Sequence, residues 1–404
     1  MKRRDFLKLA GGIALAPGVT GWTSADTALG KPVFVMVFLR GGADGLHLVG
    51  PSSDPFYVAA RPADLRILAE GDKAGVLIPN SLVEQLGFRL HPGLSPLFPL
   101  YQSGQLAIVH AAGLSNATRS HFVAQDLMER GVSSDKGMSE STGWLARALP
   151  PSRDIVNAYS ATSNPVFGLK GAPGYLAAPD LTGGLNFPYG DATRQLLSQW
   201  AVPETALGAA TADALKLIEG ANRVIQKGGD GKAIPYVPAG SASYGAGGDF
   251  GKKLAAVAQL IRADIGLKAA WVDFGIWDTH ENQGGRVADL ASKLGAGLAA
   301  FYEDMSKAQR PVVIVALSEF GRRLRANKSN GTDHGHGGVA FVLGSNVRGG
   351  RMLGRWPGLE TGQLDEGVDL AVTTDYRAIL SGALSLAGLS SLFPGWSGPA
   401  LSLG

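Results

Sequence analysis

"KPVFVMVFL", residues 31–39, carries eight consecutive apolar residues after its lysine, most of them β-branched or aromatic. The run does not alternate with polar residues and is too short for a buried helix. It therefore reads as a strand covered on both faces, as in a parallel sheet. "QLAIVHA" (105–111), "KAAWVDFG" (268–275), "PVVIVALS" (311–318) and "VAFVLG" (339–344) have the same character. Between them lie amphipathic segments. In "FGKKLAAVAQLIRADIG", Leu254, Val257, Leu260 and Ile261 share one helical face, and further helices are predicted at 121–130, 205–226, 285–307 and 375–387. Buried strands alternating with helices predict an α/β fold, a three-layer sandwich around a largely parallel central sheet.

Residues 151–250 break this rhythm with short apolar pieces, prolines and the stretch "PAGSASYGAGG". They read as an elaboration on a single domain spanning 31–404. With 404 residues and 45% hydrophobic content, the chain has ample material for a buried core.

The N-terminal stretch "MKRRDFLKLAGGIALAPG" combines a basic start, paired arginines and a modest apolar run rich in glycine and alanine. This pattern resembles a twin-arginine export signal over residues 1–30, which implies the export machinery as a partner and the periplasm as destination. Small-residue cleavage candidates occur near Ala14–Ala16 and Ser24–Ala28. The apolar run from Leu9 to Val19 falls short of the roughly 20 residues a stable membrane span needs. Lysine and arginine total 37 against 34 aspartates and glutamates, and removing residues 1–30 leaves 33 against 32. A nearly neutral mature chain gives no footing for nucleic acid as a partner.

Cysteine is absent, so disulfides and thiolate metal sites are excluded. Any metal must be held by oxygen and imidazole, which zinc, manganese or calcium would accept. Gly-x-Ser-x-Gly, His-Glu-x-x-His and phosphate-binding glycine motifs are also missing.

Polar residues gather just beyond the predicted strands. The first strand exits into "RGGADGLHL" with Asp44, and the second into "AAGLSNATRSHFVAQ" with Thr118, Ser120 and His121 at a helix start. The third exits into "IWDTHENQ" with Asp278 and His280, and the fourth into "SEFGR" with Glu319. "GTDHGHGG" follows, carrying Asp333, His334 and His336. Ligand sites in open α/β sheets lie beyond the carboxyl ends of the strands, so these exits predict one shared metal-binding site. Each residue also has a structural reading: Asp44 as a turn cap, Ser120 as an N-cap, Glu319 as the ion-pair partner of Arg322 or Arg323. His110 reads as a hydrogen-bonded core residue, and His47 and His91 as loop residues.

Together, "LRGGADGLHLVGP", "RSHFVAQDLMERG", "GWLARAL", "WDTHENQ", "LSEFGR" and "DHGHGG" resemble the exported bacterial family called domain of unknown function 1501. That family is similar to a divergent branch of the alkaline phosphatase and sulfatase superfamily. The resemblance implies an alkaline-phosphatase-like sandwich with a divalent metal centre at the strand ends and a Ser or Thr nucleophile. By position, Asp44 would be the first-strand metal ligand and Ser120 the hydroxyl. Asp278 with His280 would form one ligand pair, and Glu319 with His334 or His336 another. Many superfamily members carry Asp-His-Gly directly after the strand that here ends in Ser318–Gly321, whereas this chain's "DHG" arrives at Asp333. The leading expectation is an exported metal-dependent hydrolase of small phosphate or sulfate esters, with Ser120 as nucleophile and His121 as orienting group or general acid. The alternative is a non-catalytic periplasmic binding or assembly protein that keeps the fold and a structural metal.

Overall fold

The run at 31–39 forms strand β1 (Val33–Leu39), and all seven of its residues are buried. Its side chains divide by alternation. Val33, Val35, Val37 and Leu39 enter one hydrophobic core, while Phe34, Met36 and Phe38 enter another. A strand apolar at every position is thus accounted for by a layer on each face of the sheet.

The computed structural model describes residues 30–404 other than 153, 182, 183, 186, 188, 203 and 226–233. The export signal expected at 1–30, with its cleavage candidates, lies outside the described residues up to its last position. Residues 31–404 cluster as one compact unit. Among the described residues no helix is long and apolar enough to cross a membrane.

Nine strands form the main sheet among the described residues: β1, β2 (Leu106–Gly113), β3 (Ala158–Ser160), β4 (Tyr175–Ala177), β5 (Ala269–Phe274), β6 (Val312–Leu317), β7 (Gly338–Gly344), β8 (Arg351–Leu353) and β9 (Thr374–Asp375). Their order is β8-β2-β7-β6-β1-β5-β3-β4, with β9 also paired to β2. β1 runs parallel to both β5 and β6, with Val35 opposite Ala270 and Ile314. β7 is antiparallel to both of its neighbours, β2 and β6, and every other pairing is parallel. The sheet is therefore largely parallel, with a single reversed strand.

Helices cover both faces: α1 (His121–Arg130), α2 (Trp144–Ala148), α3 (Asp191–Trp200), α4 (Ala206–Val224), α5 (Gly248–Arg262), α6 (Gln283–Lys307) and α7 (Tyr376–Leu386). α6 buries Val287, Leu290, Leu294, Leu298 and Phe301 with Leu254 and Val257 of α5 in the first core. α7 buries Ile379, Leu380, Ala383 and Leu384 with Ala124 and Leu127 of α1 in the second. The apolar spacing along each helix matches the one face it must cover. Residues 151–250 contribute β3 and β4, which extend the sheet beyond β5, and the mutually packed α3 and α4.

The reversed strand positions the site. Because β7 runs opposite to the rest, the segment leading into it lies at the edge where β1, β2, β5 and β6 end. The "DHGHGG" segment thus arrives beside "SEFGR", where Arg322 and His334 form an antiparallel bridge. Glycine is required there. A Cβ on Gly321 would stand 1.9 Å from the Gly337 carbonyl oxygen, and one on Gly335 would stand 2.4 Å from the Arg322 carbonyl carbon.

Candidate metal centre

Helix α1 begins at His121 and is preceded by Ser120, an N-cap whose hydroxyl makes no capping hydrogen bond and is exposed. The His121 ring stacks on Phe320 at 4.7 Å between centroids, and its Nδ1 lies 2.8 Å from Glu319 Oε1. Glu319 leaves β6 fully buried. Its carboxylate also accepts from Gly41 N–H (2.9 Å), Gln125 Nε2 (2.7 Å) and Ser318 Oγ (2.9 Å). Burial works to raise the Glu319 pKa, but these donors, His121 first, outweigh it and hold the carboxyl below its ordinary range.

Asp278 stands opposite, and one of its oxygens is the focus of the site. Asp278 Oδ1 lies 3.0 Å from His280 Nε2, 3.2 Å from His334 Nε2 and 3.4 Å from His121 Nε2. His280 and His334 bring their Nε2 atoms within 2.8 Å of each other. Each ring is held from behind at Nδ1: His121 by Glu319, His334 by the Arg119 carbonyl at 2.7 Å, and His280 by Asp333 at 3.4 Å. An Nδ1–H donated to those acceptors leaves the Nε2 lone pair facing inward, so three lone pairs converge on one carboxylate oxygen. Metal-binding histidines are oriented in this way by outer carboxylates and carbonyls.

The donor set fits a divalent ion. His121, Asp278 and His334 each offer a ligand atom, all within 4.8 Å of one another. Metal–nitrogen bonds of about 2.0–2.1 Å in a tetrahedron put ligand atoms about 3.3 Å apart, close to the spacings around Asp278. His121 Nε2 is buried without a hydrogen-bond partner. Without a cation, facing lone pairs repel, and a proton must take its place. Burial works to lower the His121 pKa, but Glu319 and Asp278 outweigh it and hold the imidazole above its ordinary value. His334 is held below its own by burial, with Arg322 and His121 adding to the effect.

Arg322 was not anticipated in this role. Its guanidinium is completely buried and donates to Asp278 Oδ1 (2.6 Å) and to the carbonyls of Gly41 (2.5 Å), Gly42 (2.7 Å) and Thr332 (3.0 Å). It ties three strand exits together. Burial works to raise the Asp278 pKa, but Arg322 outweighs it and pushes the carboxyl far below its ordinary range.

Three expected ligands stand elsewhere. Asp44 is 1% exposed, caps the helical turn Gly45–Leu48, and takes two bonds from Arg61 (2.7 and 3.1 Å) and one from Gln283 (2.6 Å). Its carboxylate lone pairs are thus taken up by protein donors, and it stands apart from the His121, Asp278 and His334 group. His336 binds Asp365 Oδ2 (2.6 Å) through Nδ1 and the Leu114 carbonyl (2.8 Å) through Nε2, so no nitrogen is left for a metal. Glu319 stands behind His121 instead of joining the group. Its partner is neither Arg322 nor Arg323. Thr118 turns its hydroxyl toward the Ser120 N–H (3.3 Å). His47 and His91, expected in loops, are buried, and so is His110, whose Nε2 meets the Val49 carbonyl at 2.7 Å.

Two supporting residues escaped the sequence reading. Gln125 lies one helical turn after His121, a spacing that places both on one face of α1. Arg322 carries no such spacing signal, because its partners come from three separate segments.

Residues 192–382 match a family model described as "Protein of unknown function (DUF1501)". The matched region carries "WDTHENQ", "LSEFGR" and "DHGHGG", and hence Asp278, His280, Glu319 and His334. No curated protein matches the chain. Among solved structures, the C-terminal periplasmic domain of EcEptC from Escherichia coli is 9% identical over 89% of this chain and 83% of its own, with a TM-score of 0.37. Phosphonate monoester hydrolase SpPMH from Silicibacter pomeroyi is 10% identical over 92% of this chain and 77% of its own, TM-score 0.35. BT1596, a 2-O GAG sulfatase, is 10% identical over 92% and 73%, TM-score 0.35. Likenesses at this level carry no information on chemistry or metal.

Proposed function

We propose that this protein is an exported metal-dependent hydrolase of small phosphate or sulfate esters, with His121, Asp278, His334 and His280 around the ion and Ser120 as nucleophile. One observation carries the reading: three imidazole Nε2 atoms converge on Asp278 Oδ1 at 3.0–3.4 Å. A bound divalent ion would supply Lewis-acid stabilisation of charge on an ester oxygen. Ser120 offers an exposed hydroxyl that no cap bond restrains, at the N-terminus of a ten-residue helix whose dipole favours an incoming anion. Glu319 fixes the His121 ring, and Arg322 keeps Asp278 ionised. Export rests on the paired arginines at the N-terminus, and zinc, manganese and calcium all suit the donor set.

The test is metal analysis of the purified protein, followed by turnover of aryl phosphate and aryl sulfate. Turnover should depend on metal and fall by about 10³-fold or more in Ser120→Ala, the scale on which a nucleophile's loss is felt. Unchanged turnover in Ser120→Ala would refute the nucleophile.

A second reading, a non-catalytic binding or assembly protein with a structural metal, is favoured by Arg322. At 2.6 Å from Asp278 Oδ1 it already neutralises the carboxylate that the ion would share. Metal without any ester turnover would support it.

A further inference from the structure

A cavity opens beside Gln283, at the start of α6. It is open to solvent, has a volume of about 560 Å³, within the range of small-ligand sites, and its lining includes His47, His91, Arg66, Lys73, Gly284 and Gly285. None of these belongs to the candidate metal centre.

Four features point to an anion. α6 is 25 residues long, its N-cap Asn282 makes no side-chain cap, and the Gly284 and Gly285 N–H groups have no acceptor among the described residues. A Cβ on Gly285 would meet nothing within 4 Å, so the helix end is open to a bulky group. His47 and His91 are 3% and 8% exposed. The Nδ1 of His47 accepts from Gln283 Nε2 (3.2 Å) and that of His91 accepts from Gly93 N–H (3.0 Å), so each ring carries its proton on Nε2. Neither Nε2 has a partner among the described residues. Burial lowers both pKa values, His47 to about 3 and His91 to about 4, so the rings act as neutral donors. Arg66 Nε is likewise buried without a partner, and Lys73 adds a second positive charge. The opposing group is Asp64, whose carboxylate accepts from Asn330 Nδ2 at 2.5 Å.

We propose that this cavity binds the tetrahedral oxyanion of a small phosphate- or sulfate-bearing ligand. The oxyanion would be received by the Gly284 and Gly285 N–H groups, the His47 and His91 Nε2–H groups, and the charges of Arg66 and Lys73. No metal takes part. The site is separate from the Ser120 chemistry and stands whether or not that chemistry occurs.

The experiment is isothermal titration of inorganic phosphate, and separately of inorganic sulfate, into the full chain treated with EDTA. Gly285→Asp places a carboxylate where the oxyanion would go. It should weaken binding at least about tenfold while leaving the melting temperature equal or higher, since an acid in the first turn favours the helix. Lys73→Gln, an exposed substitution, should weaken binding severalfold, and Asp278→Asn should leave it unchanged. The arm that saturates identifies the oxyanion. Absence of saturable binding in both arms, unchanged affinity in Gly285→Asp, or loss of binding in Asp278→Asn would each overturn the proposal.

Discussion

Replacing Asp44 with alanine separates a buried ion pair from a metal ligand. In the structure the Asp44 carboxylate receives Arg61 at 2.7 and 3.1 Å and Gln283 at 2.6 Å, with both charged side chains fully buried. Burial works to raise the Asp44 pKa, but Arg61 outweighs it, so the pair is ionised. Removing one member of such a pair strands a buried charge, which costs about 3–5 kcal/mol. Arg61 would keep the carbonyls of Leu324 (2.8 Å), Arg323 (2.9 Å) and Leu65 (3.2 Å), so the lower end, about 3 kcal/mol, is expected. The assay is urea unfolding of Asp44→Ala in EDTA, with metal content of the untreated protein measured in parallel. Stability should drop and metal content should hold. Asp44→Leu combined with Arg61→Met should recover most of the loss, because an apolar pair leaves no charge uncompensated. Loss of metal without loss of metal-free stability would refute this and restore Asp44 as a ligand.

Glu319→Gln keeps the shape of the residue behind His121 but removes its charge; metal affinity measured by competition with a chelator should fall about 10- to 100-fold. Equal affinity would show that Glu319 is only structural. Acid should also destabilise the fold. His47, His91 and His110 have folded pKa values lowered from 6.5 to about 3, 4 and 4, so their contribution is complete above pH 6.5 and is lost as pH falls toward 4. Each is worth up to about 1.4 kcal/mol per pH unit, whereas His121, shifted upward, is protonated in both states below pH 6.5 and adds no slope there. A net loss of about 3–4 kcal/mol per unit between pH 6.5 and 5 is expected in urea titrations, and a flat profile would contradict it. Ile276, two residues before Asp278, is 70% exposed with φ of 68°. Ile276→Asn should raise stability by about 1 kcal/mol by relieving that strain. A lower melting temperature would show that the side chain is needed where it stands.

The sandwich was legible because its main strands are apolar on both faces and long enough to count. β3, β4, β8 and β9 were missed, since two or three residues establish no periodicity. Nor could the sequence give the direction of β7, because an apolar run reads alike in parallel and antiparallel pairing. That reversal brings His334 to the edge where Asp278 and His121 stand. The site was legible as a set of strand exits, but not residue by residue. Asp44 sits among glycines in the same way a ligand would, and only the approach of Arg61, from a segment with no motif of its own, assigns it. His334 and His336 are two positions apart in a glycine-rich loop, so spacing could not separate them. Asp365 and the Leu114 carbonyl, both remote in sequence, engage His336.

Metal stoichiometry by elemental analysis, compared between the unaltered chain, His334→Ala and His336→Ala, tests the central claim most directly. The geometry predicts a bound divalent ion that is lost in His334→Ala and retained in His336→Ala. No metal in the unaltered chain, or equal content in all three, would contradict it.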